Sequence, residues 1–84
     1  MHHDLKCWPE PFKEAIEGRK RYEVRKFDRD FKTGDTVTLH EFDPVSGNYS
    51  GRSAGWVIGY VTKPGEWLLP EGVCVFSLMV GKPA

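Results

Sequence analysis

The chain has no excess of either charge: twelve Lys and Arg are balanced by twelve Asp and Glu. An indiscriminate nucleic-acid coat needs a large positive surplus to release counterions, so that class is excluded. Cysteine is scarce. Cys7 and Cys74 show no zinc-ligand spacing and sit in apolar, strand-like runs, the pattern of free buried thiols rather than of a disulfide framework. No apolar run is long enough to cross a bilayer, and the polar N-terminus lacks the apolar stretch of a signal peptide. These absences predict a cytoplasmic protein. There is no Walker loop and no dinucleotide fingerprint. His2, His3 and Asp4 lie together, but adjacent histidines at a chain start are usually mobile and offer no His-x-x-x-His geometry. No metal and no cofactor are expected.

What is present is aromatic. Five Phe, three Trp and three Tyr serve a chain of 84 residues. That length predicts one domain, 1–84, which buries only about 60–65% of its unfolded surface and must use its apolar residues well.

Residues 2–7 alternate weakly and predict a first strand with Leu5 and Cys7. Pro9 and Pro11 suit the first turn of a helix, where a missing N–H costs nothing, and Glu10 suits the positive end of its dipole. Phe12, Ala15 and Ile16 recur at helical spacing as a buried stripe, and Gly18 is the stop. Residues 20–26 predict a second strand with Tyr22 and Val24 toward the core. A loop with apolar ends, Phe27 to Phe31, and a turn at Lys32–Asp35 lead to a third strand. There Val37, Leu39 and Glu41 share one face, and Thr38, His40 and Phe42 the other. Glu41 continues an apolar row. Either the strand bends outward and its end is exposed there, the commoner case, or a carboxylate enters the barrel mouth and needs a partner.

Turn signals at Asp43–Asn48 predict a hairpin. A long strand to Thr62 follows, with Gly51, Gly55 and Gly59 marking bends or bulges. Trp56, Ile58 and Tyr60 fall on one face, Val57 and Val61 on the other, which predicts cover on both sides. Lys63 to Gly72 reads as a loop with Trp67, Leu68 and Leu69 tucked beneath it. Val73 to Val80 is the last strand, with Cys74, Phe76 and Leu78 on one face, and Gly81 to Ala84 is a tail. The expected class is α+β, mostly β: a small β-barrel of five to six strands with one early helix.

The charge is unevenly placed. Residues 19–32 hold seven Lys and Arg against three Asp and Glu; the rest holds five against nine. A balanced protein with one basic patch suits local recognition of an anion. Within the patch, the period-two rule puts Arg21, Glu23 and Arg25 on one face, with Lys20 at the strand mouth. Two guanidinium forks, an ammonium and a carboxylate can grip a polar or phosphate-bearing ligand. The plainer alternative is an exposed face of weak cross-strand ion pairs.

Three segments, Lys6-Cys7-Trp8-Pro9-Glu10-Pro11-Phe12, Ile16-x-Gly18-x-Lys20-x-x-Glu23-x-Arg25 and Gly34-Asp35-x-Val37-x-Leu39, resemble the small ASCH-type domains of the PUA-like superfamily. The resemblance is greatest to an uncharacterised branch that is often phage- or prophage-associated, and it covers nearly the whole chain. It implies a compact PUA-like β-barrel with a cleft between barrel and early helix, and roles centred on RNA or modified nucleosides. One small relative is an amidohydrolase that deacylates a modified cytidine with a lysine, a threonine and a late glutamate. Lys20 matches the lysine, but Glu23 stands at the threonine position, and neither Glu66 nor Glu71 aligns as the late glutamate. Without the hydroxyl, Lys20 and Glu23 would have to act together on water.

The expected function is therefore an RNA- or nucleotide-binding module, a monomer with no membrane or metal partner. Lys20 and Arg25 would hold phosphate or a base edge, and Glu23 would accept from an exocyclic amine or orient Arg25. Arg21 shares their face, Lys6 adds positive potential, and Trp8 either stacks on a base or wedges the helix onto the barrel. One alternative is a small amidohydrolase on an acylated pyrimidine nucleoside, with Lys20 and Glu23 as its catalytic candidates. The other is a phage-encoded protein-interaction module using aromatics near Trp67. Cys7 is not expected to act as a nucleophile.

Overall fold

The computed structural model describes residues 1–80; the expected tail Gly81 to Ala84 lies outside them. Its elements are β1 (His2–Cys7), α1 (Pro9–Ile16), β2 (Tyr22–Lys26), β3 (Thr36–Asp43), β4 (Asn48–Thr62) and β5 (Val73–Met79). The five strands form one sheet in the order β1-β3-β4-β5-β2. β1 runs parallel to β3, while β3–β4, β4–β5 and β5–β2 are antiparallel. The sheet curls into a half-barrel with β1 and β2 as its two free edges. This is the expected mostly-β class with five strands and one early helix.

α1 begins where the chain signals it. Trp8 is the N-cap in an extended conformation, Pro9 and Pro11 occupy the first turn, and Glu10 faces the dipole's positive end. Phe12 and Ala15 are buried. Ile16, expected on the buried stripe, is 44% exposed at the last turn. Gly18 follows with φ +82°, which only glycine adopts without strain.

The core joins Leu5 and Cys7 of β1, Phe12 of α1, Val37 and Leu39 of β3, Ile58 of β4, and Cys74, Phe76 and Leu78 of β5. Phe31 plugs one end from the β2–β3 loop, its ring 4.9 Å from that of Phe76. His3 is not mobile. It is buried against Phe31 and donates Nε2–H to Asp35 at 2.8 Å, because β1 is clamped along β3 in register His2 to Thr36.

The faces of β3 and β5 follow their alternation, but those of β2 and β4 do not. In β2, Tyr22 and Val24 point outward, and Glu23 and Arg25 point in. The register with β5 is the cause. Glu23 lies opposite Phe76 and Arg25 opposite Cys74. Directly opposed residues share a face, so the buried side of β5 draws the charged residues inward. In β4 the pairing with β5 slips between Ile58 and Val61. The extra residue turns Tyr60 out and Val61 in, so the expected double cover is absent.

The β4–β5 loop also departs from expectation. Its turn is closed by Glu66 N to Lys63 O at 3.1 Å and Leu69 N to Glu66 O at 2.9 Å. Trp67 and Leu68 adopt positive φ and stand in solvent instead of tucking under.

Candidate functional site

The two free sheet edges face each other across a seam, and the basic segment fills it. Glu23 is only 3% exposed, and a carboxylate at that depth needs partners. It has two. Lys20 Nζ donates to Oε1 at 2.5 Å, and Arg25 Nε donates to Oε2 at 2.8 Å. Arg25 then reaches across the gap, and its Nη2 donates to the Lys6 carbonyl on β1 at 2.7 Å. One guanidinium thus ties the two edges that no strand pairing joins. The planar fork directs separate N–H groups at the two acceptors.

Beside this cluster lies a cleft of about 330 Å³. Lys6, Cys7 and Trp8 form one wall, Lys20, Tyr22 and Val24 the other, and Glu23 with Arg25 the floor. Trp8 is 61% exposed, so it is not the wedge between helix and barrel. Its place before two prolines leaves the indole above the cleft, where Pro11 also lines the wall. Lys20 Nζ lies 4.9 Å from the Tyr22 ring centroid, within cation–π range.

Five of the six expected residues, Lys6, Trp8, Lys20, Glu23 and Arg25, meet here. Arg21 does not. It precedes β2, donates Nε to the Gly18 carbonyl at 3.0 Å, and faces a separate groove beside Trp56 and Val80. Tyr22 and Val24 were missed because the pleat of β2 is inverted.

The cleft is poor in nucleophiles. No serine or threonine lines it. Burial pushes the Cys7 thiol above the usual cysteine value, and the charge of Glu23 pushes it further. A thiol so placed stays protonated and inert. Both Glu23 oxygens are engaged. Glu41 is also inside the half-barrel, not at an exposed strand end, and accepts from Ser50 Oγ at 2.7 Å. Among the described residues no group of three His, Cys, Asp or Glu is arranged to hold a metal. No helix there is long and apolar enough to cross a membrane.

The molecule is thus a small half-barrel domain with a polar cleft at an open seam. The chain belongs to the family described as "Domain of unknown function (DUF3850)", which it matches over residues 2–78. It is also 41% identical over 66 residues to an uncharacterized 12.9 kDa protein in the GpA 3′ region of Escherichia phage P2. That match covers 79% of this chain and 59% of the phage protein, so the chain spans less than two thirds of the relative's length.

Proposed function

We propose that the seam cleft binds RNA or a nucleotide-like ligand, in keeping with the resemblance to ASCH-type, PUA-like domains. The observation that carries this reading is the pairing of exposed aromatic walls, Trp8 and Tyr22, with a floor of fixed charge. The indole offers a face for a base, and Arg25, held in place by Glu23, offers donors to its polar edge. Arg25 Nη1 makes no hydrogen bond within the described residues, so the guanidinium keeps donors for a ligand. Hydrolysis is less well supported, because both Glu23 oxygens are held by cations and no serine or threonine lines the cleft. A protein-docking role is favoured by one observation, the bare Trp67–Leu68 turn.

Trp8→Ala is the clean test, since the side chain is exposed and its loss leaves the core intact. Base stacking on an aromatic is worth about 1–3 kcal/mol, so affinity for a short single-stranded RNA should fall roughly 5- to 150-fold. Thermal stability should hardly move. Unchanged RNA affinity in Trp8→Ala would overturn the stacking role. An RNA that shifts no cleft resonance in the unaltered protein would turn attention to the Trp67 surface.

A further inference from the structure

The Arg25–Lys6 bridge is the rim between two basins. On its far side lies a second cleft of about 400 Å³, which shares Lys6 and Arg25 with the first. The two differ in chemistry. The first has Trp8 and Tyr22 on its walls and a buried carboxylate below. The second is lined by four cations, Lys6, Arg25, Lys26 and Arg29, against two carboxylates, Asp4 and Asp28.

Of those carboxylates, Asp4 is held by a hydrogen bond, whereas Asp28 only stands near Arg29. Asp4 accepts from His40 Nε2 at 2.9 Å, and Asp28 lies 3.6 Å from Arg29 Nε. Lys6 and Lys26 have no carboxylate partner among the described residues. The Lys6 ammonium instead lies 4.5 Å from the centroid of the Phe42 ring. Tyr49 packs its ring 5.0 Å from Phe42 and is more than half exposed at the rim. Unpaired ammonium groups beside an accessible aromatic suit a phosphodiester followed by a second base.

We propose that the two basins form one binding track, and that the ligand is a single strand of two or more nucleotides rather than a free nucleoside. This rests on the nucleotide-binding reading of the first cleft. One base sits against Trp8, the next phosphate crosses the Arg25–Lys6 rim, and Lys26 and Arg29 hold it from the far side. Each basin has the volume of a small-ligand pocket, and the two adjoin at the shared Lys6 and Arg25. A nucleoside would fill the first basin and leave the second unused.

The test titrates the isotope-labelled chain with cytidine and, separately, with the single-stranded ribonucleotide CCCC, followed by NMR. The tetranucleotide should bind at least tenfold tighter and shift Lys26, Arg29 and Tyr49 as well as Trp8. The Lys26→Ala/Arg29→Ala variant should bring it to the affinity of cytidine while leaving cytidine binding unchanged. A readout on the unaltered chain needs no variant. Tetranucleotide affinity should fall with salt at a log–log slope of about 0.7 per phosphate held, and cytidine affinity should not fall. Equal affinity for the two ligands, or a flat salt response for both, would overturn the track and leave the first cleft standing. If neither ligand moves Trp8, Glu23 or Arg25, both readings fall together.

Discussion

Replacing Glu23 by Gln probes the seam at its centre. The carboxylate is 3% exposed and faces two cations, Lys20 on Oε1 and Arg25 on Oε2. An amide has one acceptor oxygen. Whichever way it is turned, its NH₂ group meets an ammonium or a guanidinium, and both are donors only. One charge-assisted bond is lost outright, and the other becomes a bond to a neutral acceptor. A hydrogen bond to a charged group is worth about 1.5–3 kcal/mol. Breaking a fully buried pair costs about 3–5 kcal/mol. The Lys20 and Arg25 side chains are 19% and 21% exposed, so they recover some hydration. The expected loss is therefore about 2 kcal/mol, or roughly 8–16 °C in Tm for a domain of this size. Urea denaturation at neutral pH reads it as a lower midpoint with an unchanged slope. A loss below about 0.5 kcal/mol would refute the reasoning, because that is the range of a solvated surface pair.

Two further outcomes follow from other parts of the fold. Asp35 is held down to about 2 from 3.8, chiefly by the hydrogen bond from His3, with the Met1 ammonium and the Lys32 N–H also lowering it. A depressed carboxylate stabilises fully above its ordinary value. About 2 kcal/mol should therefore be present at neutral pH and drain away as pH falls from 4 through 2. Asp35→Asn should flatten that limb of a Tm-against-pH curve, and an unaltered limb would refute the role. At Gly59 an added Cβ would lie 2.4 Å from Ser77 Oγ and 2.7 Å from Met79 Sδ. Met79 can swing away, but Ser77 Oγ is held by the Tyr60 N–H at 2.9 Å. Gly59→Ala should cost about 1–3 kcal/mol by overpacking, and a calorimetric Tm equal to wild type would show that the bulge yields.

Much of the candidate site was legible in the residues. The concentration of cations between 19 and 32, the lone glutamate among them, and the tryptophan before two prolines all mark the seam. The second basin was not seen. Its members come from β1, the end of β2, the β2–β3 loop, β3 and β4, and only the parallel pairing of β1 with β3 brings Asp4 and Lys6 beside His40. Parallel pairing needs a long crossover, here through α1 and β2, and no local pattern in the chain announces it.

Sequence alone determined the elements and most of their bounds. Proline at a helix start, glycine past its end, and turn residues between strands act on their immediate neighbours, so they can be read locally. It also determined which residues of β2 stand together, since strand periodicity is intrinsic to the backbone. Tertiary structure decided which side of β2 is the inside. That choice belongs to β5, whose Phe76 and Cys74 are buried and stand opposite Glu23 and Arg25. A strand's alternation is symmetric until a neighbour breaks it. Here the neighbour turned the charged side inward, where Lys20, Arg25 and the Lys6 carbonyl make burying a carboxylate tolerable.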